Sequence, residues 1–162
     1  TVLGMASHIF FAWIIAIVQI PWSGLSVLVI APLDALDGAL ARKQGIKQGG
    51  FGAFLDSTLD RLAEIFLFAG FLYFFIQQEN QLMIATAYAA LTGSLMVSYV
   101  RARAESLGYQ CKVGILSRVE RYIVIIVTLL LNRPEWGLAI LAFFTYLTLG
   151  QRMIYVWRQA HQ

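Results

Sequence analysis

Residues 34–60 read DALDGALARKQGIKQGGFGAFLDSTLD, and this stretch decides the fold. It sets Asp34, Asp37, Asp56 and Asp60 between two long apolar runs. A charge left unpaired inside a bilayer costs at least about 2.5–3.5 kcal/mol, so four carboxylates at the rim of apolar segments need compensation. A divalent cation supplies it, because Mg²⁺ is held by a few carboxylates together with substrate phosphates. Asp34 and Asp37 are three apart, and Asp56 and Asp60 are four apart. Either spacing puts two side chains on one face of a helix. Two such helices turned towards each other would offer four carboxylates to one point. That is room for two Mg²⁺ or Mn²⁺ ions, the arrangement that clamps both oxygens of an in-line phosphoryl displacement.

The composition agrees with apolar surroundings. The chain has 162 residues and is 59% hydrophobic, well above the 45–50% of a soluble domain. We therefore expect an all-α integral membrane protein, one transmembrane catalytic domain over residues 1–162. The first residues are uncharged and resemble no cleavable signal. The chain starts at Thr1 without a methionine, and we expect further residues upstream. The single cysteine, Cys111, excludes an intrachain disulfide. Twelve basic against nine acidic residues give a net charge of +3. No basic and aromatic residues interleave as single-strand binders require, so lipid headgroups or an anionic substrate are expected, and no nucleic acid.

About 20 mostly apolar residues cross a bilayer. Six candidate spans result, at about 2–20, 24–41, 53–76, 82–107, 117–131 and 136–157. Pro32 is expected to bend the second just before the acids. The loops at 42–51 and 101–121 hold Arg42, Lys43, Lys47, Arg101, Arg103, Lys112, Arg118 and Arg121, while the opposite side holds Arg133 alone. The positive-inside rule then places both termini and the acidic stretch in the cytoplasm.

Arg101, Arg103, Lys112, Arg118 and Arg121 are more cations at one mouth than topology demands. They suit an acceptor that itself carries phosphate. Gly38 and Gly52 let backbone approach a ligand closely, Ala41 serves packing or ligand contact, and the planar fork of Arg42 suits phosphate oxygens. A rival reading is a cation transporter or a non-catalytic subunit, since intramembrane acids also mark ion pathways. Clustering of the four acids at one end of two spans favours an enzyme.

The order Asp34-x-x-Asp37-Gly38-x-x-Ala41-Arg42, nine residues, then Gly52-x-x-x-Asp56-x-x-x-Asp60 resembles the signature of the CDP-alcohol phosphotransferase family. The resemblance implies membrane enzymes of phospholipid synthesis that release CMP from a CDP-linked lipid such as CDP-diacylglycerol. It implies that Asp34, Asp37, Asp56 and Asp60 bind metal and that Asp60 is also the general base. Gly38, Ala41, Arg42 and Gly52 would then contact the CDP portion. The run Tyr99-Val-Arg-Ala-Arg-Ala-Glu105 and the later Gly114-Ile115-x-x-Arg118-x-Glu120-Arg121 look like the branch that makes phosphatidylinositol phosphate from inositol phosphate. Ser117 and Val119 depart from that branch, and glycerol 3-phosphate would suit the same cations. Gly49 stands where relatives often carry Ser or Thr. The resemblance further implies a homodimer in a bacterial-type cell membrane, with the active site on the cytoplasmic side.

Overall fold

The structure, a computed structural model, describes residues 50–161. The spans expected over 2–20 and 24–41 lie outside the described residues. The described residues form four helices: α1 (Phe51–Gln77), α2 (Gln81–Ser106), α3 (Arg118–Leu130) and α4 (Pro134–Ala160). No strand occurs among them.

The punctuation of the sequence explains the boundaries. Gly50 precedes α1 at φ 94°, a conformation that favours glycine. The turn between α1 and α2 closes on Glu79 at φ 53°, and the Asn80 side chain then accepts a 3.2 Å hydrogen bond from the Met83 N–H to cap α2. Between α3 and α4, Asn132 takes the left-handed turn at φ 55°. Pro134 then opens α4, where its missing N–H costs nothing.

Packing obeys the 3.6-residue period. On α2 the buried face is Ala87, Ala90, Ser94, Val97 and Ala104, all small but one. On α4 it is Leu138, Leu141, Thr145, Thr148 and Arg152. Small residues let two helices approach closely where no hydrophobic effect drives them together. The approach is tight at Gly93, where an added Cβ would overlap Thr145 Oγ1 and lie 3.0 Å from Thr145 Cβ. Gly137 meets Thr128 of α3 in the same way. One apolar cluster, including Phe68, Phe71, Phe75, Leu129, Leu138 and Leu141, runs through the four helices.

The outer surface is apolar as well. Leu82, Tyr88, Trp136, Phe143, Ile154 and Trp157 are each more than half exposed. In water such a surface would be an association site; against lipid tails it has no cost. Helices α2 and α4 are long and apolar enough to cross a membrane. Helix α3 is not: its 13 residues rise only about 20 Å, against a hydrocarbon layer of about 30 Å. The helix expected over 117–131 is present as Arg118–Leu130, but it is too short to cross that layer as the span expected there.

The two helix hairpins put the start of α1, the end of α2, the start of α3 and the end of α4 at one end of the bundle. Every charged residue assigned above to chemistry among residues 50–161 falls at that end. Gly93→Ala is expected to destabilise the protein by about 1–3 kcal/mol through overpacking. Thermal unfolding in detergent would show a lower Tm, partly restored when Thr145→Ala is added.

Candidate active site

Asp56 and Asp60 sit in the first turns of α1, four residues apart and on one face. Asp56 is exposed and Asp60 half-buried. The Asp60 carboxylate has two arginine neighbours. One Oδ2 contact is from the Arg118 guanidinium of α3, in direct hydrogen-bonding contact. The other is from Arg61, at 3.9 Å. Arg118 also lies over the Tyr122 ring, 5.6 Å from its centroid, within cation–π range.

One turn further along, the same two helices are joined again. Arg121 of α3 donates to Glu64 of α1, with Nε 3.2 Å and Nη2 3.1 Å from Oε1. Its guanidinium also reaches the Leu116 carbonyl at 3.5 Å and Ser98 Oγ of α2 at 3.4 Å. Both partners are nearly inaccessible, with side-chain exposures of 3% and 7%. Burying two charges is tolerable only when they are paired and hydrogen-bonded, and this pair meets both conditions.

The five cations assigned to an acceptor phosphate are thus not equivalent. Arg121 is buried on Glu64, and Arg118 is half-exposed on Asp60. Arg101 makes an exposed ion pair with Glu105 at 2.9 Å. Arg103 and Lys112 are exposed, with no ion-pair partner among the described residues. Gly52 is exposed, and a Cβ there would meet nothing within 4 Å, so its surroundings among the described residues leave room beside it. Asp34, Asp37, Gly38, Ala41 and Arg42 lie outside the described residues.

Two polar residues of this region escape a reading of the sequence. Glu64 is one, although helical spacing offers a signal: it stands four after Asp60, as Arg121 stands three after Arg118. Arg152 offers no such signal. It is buried in α4 and donates from Nε to the Val113 carbonyl at 2.9 Å and from Nη1 to the Val97 carbonyl. Cys111 is fully buried, and burial pushes its thiol pKa up, the opposite of what a nucleophile needs.

Hard oxygen donors at helical spacing, with Asp56 open to solvent, fit a Mg²⁺- or Mn²⁺-type cation that keeps water and substrate oxygens. Among the described residues no three His, Cys, Asp or Glu side chains converge. A cation held by Asp56 and Asp60 would therefore need further oxygen donors from outside the described residues.

A model of the family described as CDP-alcohol phosphatidyltransferase matches residues 1–156. The chain belongs to this family. Among curated members it is 45% identical over 133 residues to archaetidylinositol phosphate synthase of Methanothermobacter thermautotrophicus, covering 78% of this chain and 65% of that one. It is 37% identical over 143 residues to phosphatidylinositol phosphate synthase of Mycobacteroides abscessus, covering 82% and 63%. The chain thus spans a little under two thirds of the length of these relatives. A crystal structure of the Mycobacterium tuberculosis phosphatidylinositol phosphate synthase with CDP-DAG bound superposes with a TM-score of 0.84 at 27% identity, over 96% of this chain and 83% of that one. The same enzyme in complex with manganese and citrate superposes with a TM-score of 0.81 at 27% identity, over 96% and 79%. The all-helical CDP-alcohol phosphotransferase fold expected from the motif is the fold observed.

In this family member the Glu64–Arg121 pair should be costly to halve. Glu64→Leu leaves a guanidinium buried without its carboxylate and is expected to cost about 3–5 kcal/mol. Adding Arg121→Met should recover most of that loss. Thermal unfolding of these two purified variants beside the wild-type protein in detergent checks it.

Proposed function

We propose that the protein transfers a phosphatidyl-type group from a CDP-diacylglycerol-like lipid to a hydroxyl of inositol phosphate, releasing CMP. The observation that carries this reading is the contact of Asp60 with Arg118. It sets a carboxylate suited to take a proton beside a cation suited to hold a phosphate, at the end of the bundle where Arg101, Arg103 and Lys112 also emerge. The names of the relatives support the acceptor, since archaetidylinositol and phosphatidylinositol phosphate synthases share inositol phosphate and differ in the lipid. The donor is supported by the CDP-DAG complex of the structural neighbour.

Each residue then has a role. The Asp60 carboxylate accepts the proton of the acceptor hydroxyl. The hydroxyl oxygen forms a bond to the phosphorus on the lipid side of the pyrophosphate, and the bond from that phosphorus to the CMP oxygen breaks, CMP leaving with the electron pair. Arg42 would bind the CMP phosphate, and Gly38, Ala41 and Gly52 would admit the nucleotide against the backbone. Arg118, Arg101, Arg103 and Lys112 hold the acceptor phosphate. Arg121, buried on Glu64, backs Arg118 from within. Asp34, Asp37, Asp56 and Asp60 would hold two Mg²⁺ or Mn²⁺ ions, which when bound neutralise charge on the pyrophosphate. Among the described residues the cations at 101–121 share one end with Asp56 and Asp60, which supports a cytoplasmic site. We infer a homodimer of single-domain subunits in the cell membrane.

Asp60→Asn is expected to lower CMP release by about 10²-fold or more, the usual contribution of a general base. Chelation should abolish release, and Mg²⁺ or Mn²⁺ should restore it. CMP release from CDP-diacylglycerol, measured with inositol phosphate, inositol and glycerol 3-phosphate in turn, should be fastest with inositol phosphate. Full release by Asp60→Asn would remove Asp60 from this role.

A further inference from the structure

Residues 107–117 link α2 to α3 and carry Lys112 without regular structure of their own. Two buried side chains, Cys111 and Leu116, set how deep this loop sits. Burial fixes depth but not the direction of the backbone between them. On one side of the loop a groove of about 490 Å³ separates Val113–Ile115 from Gln151, Ile154, Tyr155 and Arg158 of α4. The tight approach of Gly114 to the Thr148 side chain pins one point of the loop but does not orient the backbone from 110 to 113.

Hydrogen bonds to α4 orient it. Thr148 Oγ1 accepts from the Leu116 N–H at 3.4 Å. Arg152 donates to the Val113 carbonyl at 2.9 Å. Gln159 makes a reciprocal pair with Gln110: its Oε1 accepts from the Gln110 N–H at 3.1 Å and its Nε2 donates to the Gln110 carbonyl at 2.7 Å. The three ties step up α4 at 148, 152 and 159 while they step back down the loop at 116, 113 and 110. Lys112 lies between the last two.

From this we propose that Gln159 is a positioning residue. It grips both backbone polar groups of Gln110 and so fixes the direction in which the exposed Lys112 presents its ammonium to the acceptor phosphate. The inference rests on the acceptor role proposed above for Lys112. Of the three ties, that of Gln159 is the one whose removal leaves no buried charge or buried polar group without its partner. Arg152 variants would confuse positioning with unfolding.

The test is a double-mutant cycle in the full-length protein, with initial rates of CMP release from CDP-diacylglycerol. Gln159→Ala is expected to raise KM for inositol phosphate by about three- to tenfold, the scale of one weakened contact to a charged group. The KM for CDP-diacylglycerol and kcat should stay within about twofold. Gln159→Glu, which still accepts from the Gln110 N–H but sets a carboxylate oxygen against the Gln110 carbonyl, should raise KM as well. In a Lys112→Ala background, adding Gln159→Ala should give no further rise, because coupled residues are not additive. A multiplicative effect in that background, equal changes for both substrates, or no change at all would overturn the positioning role while leaving the proposed reaction intact. Absence of CMP release by the wild type with inositol phosphate would overturn both.

Discussion

The charged end of the bundle depends on how α1 and α3 are joined. Helix α1 packs on α2, α2 on α4 and α4 on α3. The fourth side is closed by long side chains: Arg118 on Asp60 and Arg121 on Glu64. These two links differ in energy because they differ in burial. The Glu64–Arg121 pair is dry and hydrogen-bonded, so removing one partner is expensive. The Asp60–Arg118 pair is partly wet, and such pairs contribute about 1 kcal/mol or less. The inner pair therefore sets the spacing of the two helices, and the outer pair can exchange partners at little cost.

That difference links the fold to its chemistry. In the proposed reaction a carboxylate that takes a proton and an arginine that holds a phosphate would need to be close, yet not locked. An inner strut with an outer, exchangeable contact provides this. The loop between α2 and α3 shows the same division of labour. Cys111 and Leu116 anchor it by burial, while polar ties to α4 orient what lies between them. The tight α2–α4 contact at Gly93 and Thr145 keeps both supporting helices in register beneath the site.

Much of this is legible in the residues. The helices expected over 53–76, 82–107 and 136–157 appear as Phe51–Gln77, Gln81–Ser106 and Pro134–Ala160, because Gly50, Asn80 and Pro134 mark their starts chemically. The gathering of basic residues at one end comes from alternating helix direction. The pairing of α1 with α3 is not legible. Helical spacing shows which side chains share a face but not which face meets which. The distance between Glu64 and Arg121 in sequence carries no trace of their contact. The burial of Arg152 is hidden for a related reason: its partners are backbone carbonyls, which every residue possesses.

The proposed reaction requires the aspartates on either side of residues 42–52 to hold divalent metal for a pyrophosphate at the lipid–water boundary. Electron paramagnetic resonance of Mn²⁺ titrated into the purified protein tests it most directly. About two bound ions per chain are expected, with binding strengthened by a CDP-linked lipid and lost in the Asp56→Asn, Asp60→Asn double variant. Mn²⁺ binding unchanged in that variant, or no binding by the wild type with the lipid present, would contradict it.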